Sequence, residues 1–133
     1  MNSRKLKALD YWFSSAKKDK SVADSLFKLG HYSWSLFIWH LVIEKTLKGI
    51  ITELDKEPPL THNLVTLSKE YTNLSINEDL EKKFLEINTF NIEARYENYK
   101  YEFYKKADKE YTTIWVKNCK IIYLWLLKQK KQS

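Results

Sequence analysis

The stretch that most constrains this chain is Leu36 to Ile51, LFIWHLVIEKTLKGII, sixteen residues that are apolar on nearly every side of a helix. Charge enters it at only two places, the Glu44-Lys45 dipeptide and Lys48 one turn on. A helix that is apolar all round belongs in a core. Charge in a core needs a partner or a purpose. The rest of the chain therefore has to wrap around this segment, and something has to answer Glu44.

The wrapping elements are helical. Two glycines and two prolines in 133 residues are too few for the turns of a β-rich fold. A first helix is predicted from about Lys5 to Leu29, with Leu6, Leu9, Phe13, Ala16, Ala23 and Phe27 at helical spacing and Gly30 as its stop. The second follows within a few residues and ends near Asp55, ahead of Pro58-Pro59. A third starts at Thr61, capped by that threonine, with Leu60 and Val65 as a hydrophobic staple. Ser75-Ile76-Asn77-Glu78 reads as a capping box that opens a fourth helix through Leu80, Phe84 and Ile87. A last helix runs from about Asp108 to Lys130, with Tyr111, Ile114, Trp115, Ile122, Tyr123 and Leu126 on one face.

Short connections between long helices make antiparallel neighbours. The fold class is thus all-α, an up-and-down antiparallel bundle of four to five helices in a single domain, 1–133. Ile121 to Leu127 is apolar nearly all round, so one face meets the bundle and the other implies a homodimer. That run has seven residues, far short of the ~20 that span a bilayer. The lone Cys119 excludes an internal disulfide framework, and no apolar leader follows Met1. The expectation is a cytoplasmic protein with no membrane contact.

The net charge of +6 is unevenly spread. The first twenty residues hold six basic and two acidic side chains, and no acid follows Glu110, whereas Lys117, Lys120, Lys128, Lys130 and Lys131 do. Between Glu53 and Glu86 eight acids stand against four lysines. A bundle that brings the ends together has a polarised surface that draws in phosphate chains, or else two simply solvated lysine faces.

Several short patterns then fall in order along the chain. They are Trp12, Ala16, Asp19 and Ala23; Gly30-His31-Tyr32; Phe37, Ile43, Glu44-Lys45, Leu47 and Lys48; Pro59, Thr61-His62-Asn63-Leu64 and Leu67; and Ile92-Glu93-Ala94-Arg95-Tyr96. Together they resemble the HEPN domains over nearly the whole length. The fourth pattern is similar to the family's P-x-THDL-x-x-L, with asparagine for aspartate, and the fifth to its I-x-A-R-Y. The resemblance implies a helical bundle, commonly dimeric, often paired with a minimal nucleotidyltransferase in toxin–antitoxin systems. Many active members are metal-independent ribonucleases marked by an arginine followed four to six residues later by a histidine. Here that arginine is Arg95, and the following positions hold Lys100, Tyr101 and Glu102. Lysine and tyrosine keep their protons at neutral pH, so efficient cleavage is not expected.

The candidate ligand-binding residues are Arg95, Tyr96, Glu44, Lys48 and Lys100, with a nucleotide, an RNA or the nucleotidyltransferase as ligand. The alternative is a ribonuclease with a degenerate centre, in which Arg95 works with Tyr101, His40 or His62. A third reading is a structural partner whose basic ends hold an acidic protein. Each residue also has a plainer role open to it. Arg95 can pair with Glu93, Glu97 or Glu44. His40 can make one internal hydrogen bond, His62 can serve turn chemistry, and Asp19 can partner a core cation or sit at the edge. No metal-ligand spacing links the three histidines and Cys119, so neither metal nor cofactor is implied. Cys119 reads as an inert packed thiol, and Gly49 as a close helix-packing point.

Overall fold

The apolar segment forms the middle of the helix Tyr32–Glu53 (α2), and the other elements are arranged about it. Leu36, Trp39, Val42, Ile43, Leu47, Ile50 and Ile51 are all buried. In the computed structural model residues 2–130 are described; Met1 and the last three residues, Lys131 of the basic tail among them, lie outside the described residues. Around α2 stand α1 (Ser3–Lys28), α3 (Leu64–Tyr71), α4 (Glu78–Asn88), a 3-10 turn (Ile92–Ala94), α5 (Glu97–Lys106) and α6 (Lys109–Gln129). The protein is an all-α bundle, and no strand occurs among the described residues. Among the described residues no helix is long and apolar enough to cross a membrane.

Local chemistry sets the ends of the first two helices. Gly30, at φ 81°, lets the His31 amide reach back to Leu26 and its own amide to Phe27, closing α1. α2 ends in the same way through Asp55 at φ 61°, with Lys56 bonded back to Ile51, so the stop is made before the prolines are reached. The seam between α1 and α2 is close. A Cβ added at Gly49 would stand 2.6 Å from the Phe13 ring, which explains the glycine. Asp19 lies on this seam, where Lys45 Nζ donates to it at 2.6 Å and to Ser15 Oγ at 2.7 Å.

Three expectations need correction. The cap of α3 is Asn63, whose Oδ1 accepts from the Val65 and Thr66 amides, and not Thr61. Leu60 is 95% exposed and staples nothing. α4 is capped by Asn77 through the Leu80 amide, so the helix starts two residues after Ser75 would have begun it. In both places the asparagine stands directly before the first helical residue, where its Oδ1 accepts the free amides of the first turn. α5 was not anticipated as a helix, since its tyrosines and charges carry no apolar period and only Phe103 is buried, against Phe90.

The directions of the helices matter for the site. α1 and α2 are antiparallel, as the contacts of Ser35 with Ala23, Lys45 with Asp19 and Lys5 with Glu53 show. α3 and α4 are antiparallel too, with Asn63 against Asn88 and Lys69 against Glu81. Between α2 and α3, however, the segment 54–63 runs back beside α2, placing His62 next to Glu44. α3 then sets off in the direction of α2. Retracing ten residues of helix is ~15 Å, well within the reach of an extended segment of this length. At the other end α6 returns to α1, with Lys130 over the Phe13 ring at 4.5 Å. The two basic ends thus share a groove of about 630 Å³ that includes Lys17, Lys20 and Lys130.

Candidate functional site

Glu44 has the environment its sequence position demands. Its side chain is 7% exposed, and a carboxylate there is tolerable only with donors around it. Lys48 Nζ, one turn on, lies 2.9 Å from Oε2, and His62 Nδ1 lies 3.0 Å from the same oxygen. A carboxylate only accepts, so the proton on His62 sits on Nδ1 and Nε2 is the open ring nitrogen. Lys48 also approaches the Trp12 ring at 5.7 Å, which fills the remaining side of the ammonium with an aromatic face. The side chains of Lys48 and Glu44 are thus both consumed by the interior.

His40 holds His62 from behind. Its Nε2 donates to the His62 carbonyl at 3.0 Å, so the return segment is gripped through backbone and ring at once. His40 Nδ1 lies 3.7 Å from Glu44 Oε1, an approach that counts as an ion pair only for a charged ring. Burial pushes the His40 pKa below the ordinary 6.5, outweighing the pull of Glu44. The ring is therefore neutral, and Nδ1 has no hydrogen-bond partner among the described residues.

In front of His62 lies a cleft of about 310 Å³ lined by Thr61, His62, Asn63, Asn88, Asn91 and Arg95. Among the described residues no acidic side chain lines it. Asn63 and Asn88 are fixed by capping α3: Asn88 Oδ1 accepts from the Leu64 amide, and its amide donates to Asn63 Oδ1 at 3.0 Å. Arg95 follows the 3-10 turn in an extended conformation, with its guanidinium 5.0 Å from the Tyr99 ring centre. Tyr99 in turn donates to the Thr89 carbonyl at 3.2 Å. Among the described residues no carboxylate stands within ion-pair distance of Arg95, neither Glu93, Glu97 nor Glu44. Among the described residues the cleft therefore offers an anion one unpaired cation, a hydroxyl and three side-chain amides, while the open Nε2 of His62 only accepts.

The structure thus gathers His62 and Arg95 at one cleft and sets Glu44, Lys48 and His40 behind it. It does not bring the others there. Tyr96 points into solvent at 88% exposure. Lys100 and Tyr101 line a neighbouring cavity of about 370 Å³ with Ser33, Trp34, Ile92, Glu93, Glu97 and Tyr104. Sequence reasoning missed Asn88 and Asn91 because asparagines near a helix end read as caps. Burial pushes the Cys119 thiol far above its usual range, as fits a packed, unreactive side chain.

A helical bundle whose T-H-N-L and A-R-Y segments meet at one anion-suited cleft is the architecture to be matched with known proteins. The model of the HEPN domain matches residues 9–130, which include both segments and every element but the start of α1, residues 3–8. The chain belongs to the HEPN domain family, a family of nucleotide-binding and ribonuclease-type modules. No curated protein and no solved structure matches it.

Proposed function

We propose that this chain is a binding module that holds a phosphate of a nucleotide or of an RNA strand in the cleft between His62 and Arg95. The observation that carries this reading is the unpaired guanidinium of Arg95, laid on an aromatic ring in a cleft with no acid in its lining. An arginine in such a setting is preorganised for an oxyanion, and the amides of Asn63, Asn88 and Asn91 supply neutral donors beside it. The apolar stripe of Ile114, Ile121 and Leu124 left open on α6 supports a homodimer as the working form. In a two-component system the partner would be a minimal nucleotidyltransferase.

Arg95→Ala tests the reading directly. A charge-assisted contact is worth about 1.5–3 kcal/mol, so affinity for a nucleotide or a short RNA should fall about 10- to 150-fold. Because Arg95 is exposed and makes no ion pair, the melting temperature should hardly move. Equal affinity in variant and parent, measured by calorimetric titration, removes the site.

One observation favours a second reading, a metal-independent ribonuclease. Glu44 fixes the His62 tautomer with Nε2 open, as an acid–base histidine requires, and Arg95 lies across the same cleft. The histidine absent after Arg95 would then be supplied by the return segment. RNA cleavage by the clean protein in the presence of a chelator, lost in the same Arg95→Ala variant, would select this reading, and intact RNA would end it.

A further inference from the structure

The cavity beside the cleft has a chemistry of its own. Its walls carry three aromatic side chains left open to solvent, Trp34 at 46%, Tyr101 at 59% and Tyr104 at 68% exposure. None of the three is needed to close the core. Trp34 is held edge-on against Phe37, with ring centroids 6.1 Å apart at 81°, so its ring is positioned before any ligand arrives. Lys105 stands 4.8 Å from the Tyr101 ring centre, placing a cation against that ring. The polar lining is Glu93, Glu97 and Lys100, with Lys100 and Glu97 3.5 Å apart. Among the described residues Glu93 has no cationic partner.

The two hollows flank one turn of chain. Asn91 and Arg95 line the first, while Ile92, Glu93 and Glu97 line the second. Glu93 and Arg95 are two residues apart, so their Cα atoms are at most ~7.6 Å from each other, the scale of a single nucleotide. A volume of about 370 Å³ lies at the small end of ligand pockets and suits one flat ring system.

We infer that this second cavity is a stacking subsite for a nucleobase that carries an exocyclic amino group, guanine foremost. The inference rests on the reading that the Arg95 cleft takes the phosphate. Aromatic faces stack any base, since every base has a π-face. The carboxylates supply the discrimination, because they accept hydrogen bonds and cannot donate them. Guanine presents N1–H and its 2-amino group side by side, which one carboxylate can accept together. Uracil has no amino group to offer. The acids also explain why the subsite takes a base and not a second phosphate, since like charge would repel it.

The test is calorimetric titration of the full chain with GMP, UMP and ribose 5-phosphate. GMP should bind at least about tenfold more tightly than ribose 5-phosphate, with UMP between them. Trp34→Ala and, independently, Tyr101→Ala should cut the GMP advantage while leaving ribose 5-phosphate binding as in the parent. Glu93→Gln should narrow the gap between GMP and UMP. Ribose 5-phosphate binding as well as GMP, still dependent on Arg95, overturns the base subsite and leaves the phosphate cleft standing. Binding of none of the three overturns both. A Trp34→Ala variant with an altered sedimentation coefficient and an unchanged GMP advantage assigns the aromatic face to protein association and overturns the inference.

Discussion

Glu44 and Lys45 are neighbours in sequence, yet they end in two different kinds of ion pair on opposite sides of α2. Lys45 turns to α1, where Asp19 and Ser15 receive it, and both charged side chains keep about a fifth of their surface in water, 20% and 21%. Glu44 turns the other way, and its pair with Lys48 is buried, 7% and 8% exposed. The Lys45 pair is complete with two helices. The Glu44 pair has a third member, His62, which arrives from a connection and is more than half exposed at 56%. A charge near the surface can fix the register of two helices at little cost. A buried charge costs far more and is retained here where it anchors a segment that faces the cleft.

Removing one partner of each pair sharpens that contrast. The largest effect is expected for Lys48→Met, which leaves the Glu44 carboxylate buried with His62 alone. Breaking a buried pair in this way costs about 3–5 kcal/mol, read as a fall in the urea midpoint at neutral pH. A loss below about 1 kcal/mol would mean that the pair is not buried in solution, and the comparison would break there.

A smaller, pH-dependent effect belongs to His40. Its pKa is lower in the folded protein than the ordinary 6.5, chiefly through burial, so the unfolded chain binds the extra proton first. Stability should therefore be full above 6.5, fall as pH drops through that value, and level off once the folded ring is also protonated. The groups facing His40 are Glu44, Lys48 and the His62 segment, and proximity of Glu44 at 3.7 Å offsets part of the penalty. That is why the effect ranks below loss of Lys48. His40→Gln should flatten this limb of the stability–pH curve. A limb unchanged in the variant assigns the acid sensitivity elsewhere.

How much of this was legible follows from what kind of signal each part carries. α1 and α2 were readable because apolar spacing and Gly30 are local, and Gly49 because a lone glycine inside an apolar helix marks a close approach. α5 was not readable. It is fixed by one buried residue, Phe103, and by the half-buried Tyr99, while Tyr101 and Tyr104 serve the surface. The site was half legible. Arg95 and Glu44 stand out in the sequence as charges needing explanation, and His62 is one of three candidate partners of Arg95, beside Tyr101 and His40, with nothing local to choose among them. His62 meets Arg95 only because residues 54–63 run back along α2, a path set by tertiary contacts that no short window contains.

The smallest effect is expected on the α1 seam, and it also shows why the two pairs differ. Asp19→Ala leaves Lys45 with Ser15 Oγ and with water, since the ammonium is already one-fifth exposed. The loss should be about 0.5–1 kcal/mol, and a double-mutant cycle with Lys45→Met should return a coupling of the same size. In 1 M salt the screening length falls to ~3 Å, so this coupling should shrink markedly. The equivalent cycle for Glu44 and Lys48 should hold its value, because ions cannot enter between two buried groups. If the Asp19 coupling proved the larger and the salt-resistant one, the seam and not the cleft would carry the buried charge, and the anchoring role given to Glu44 would pass to Lys45.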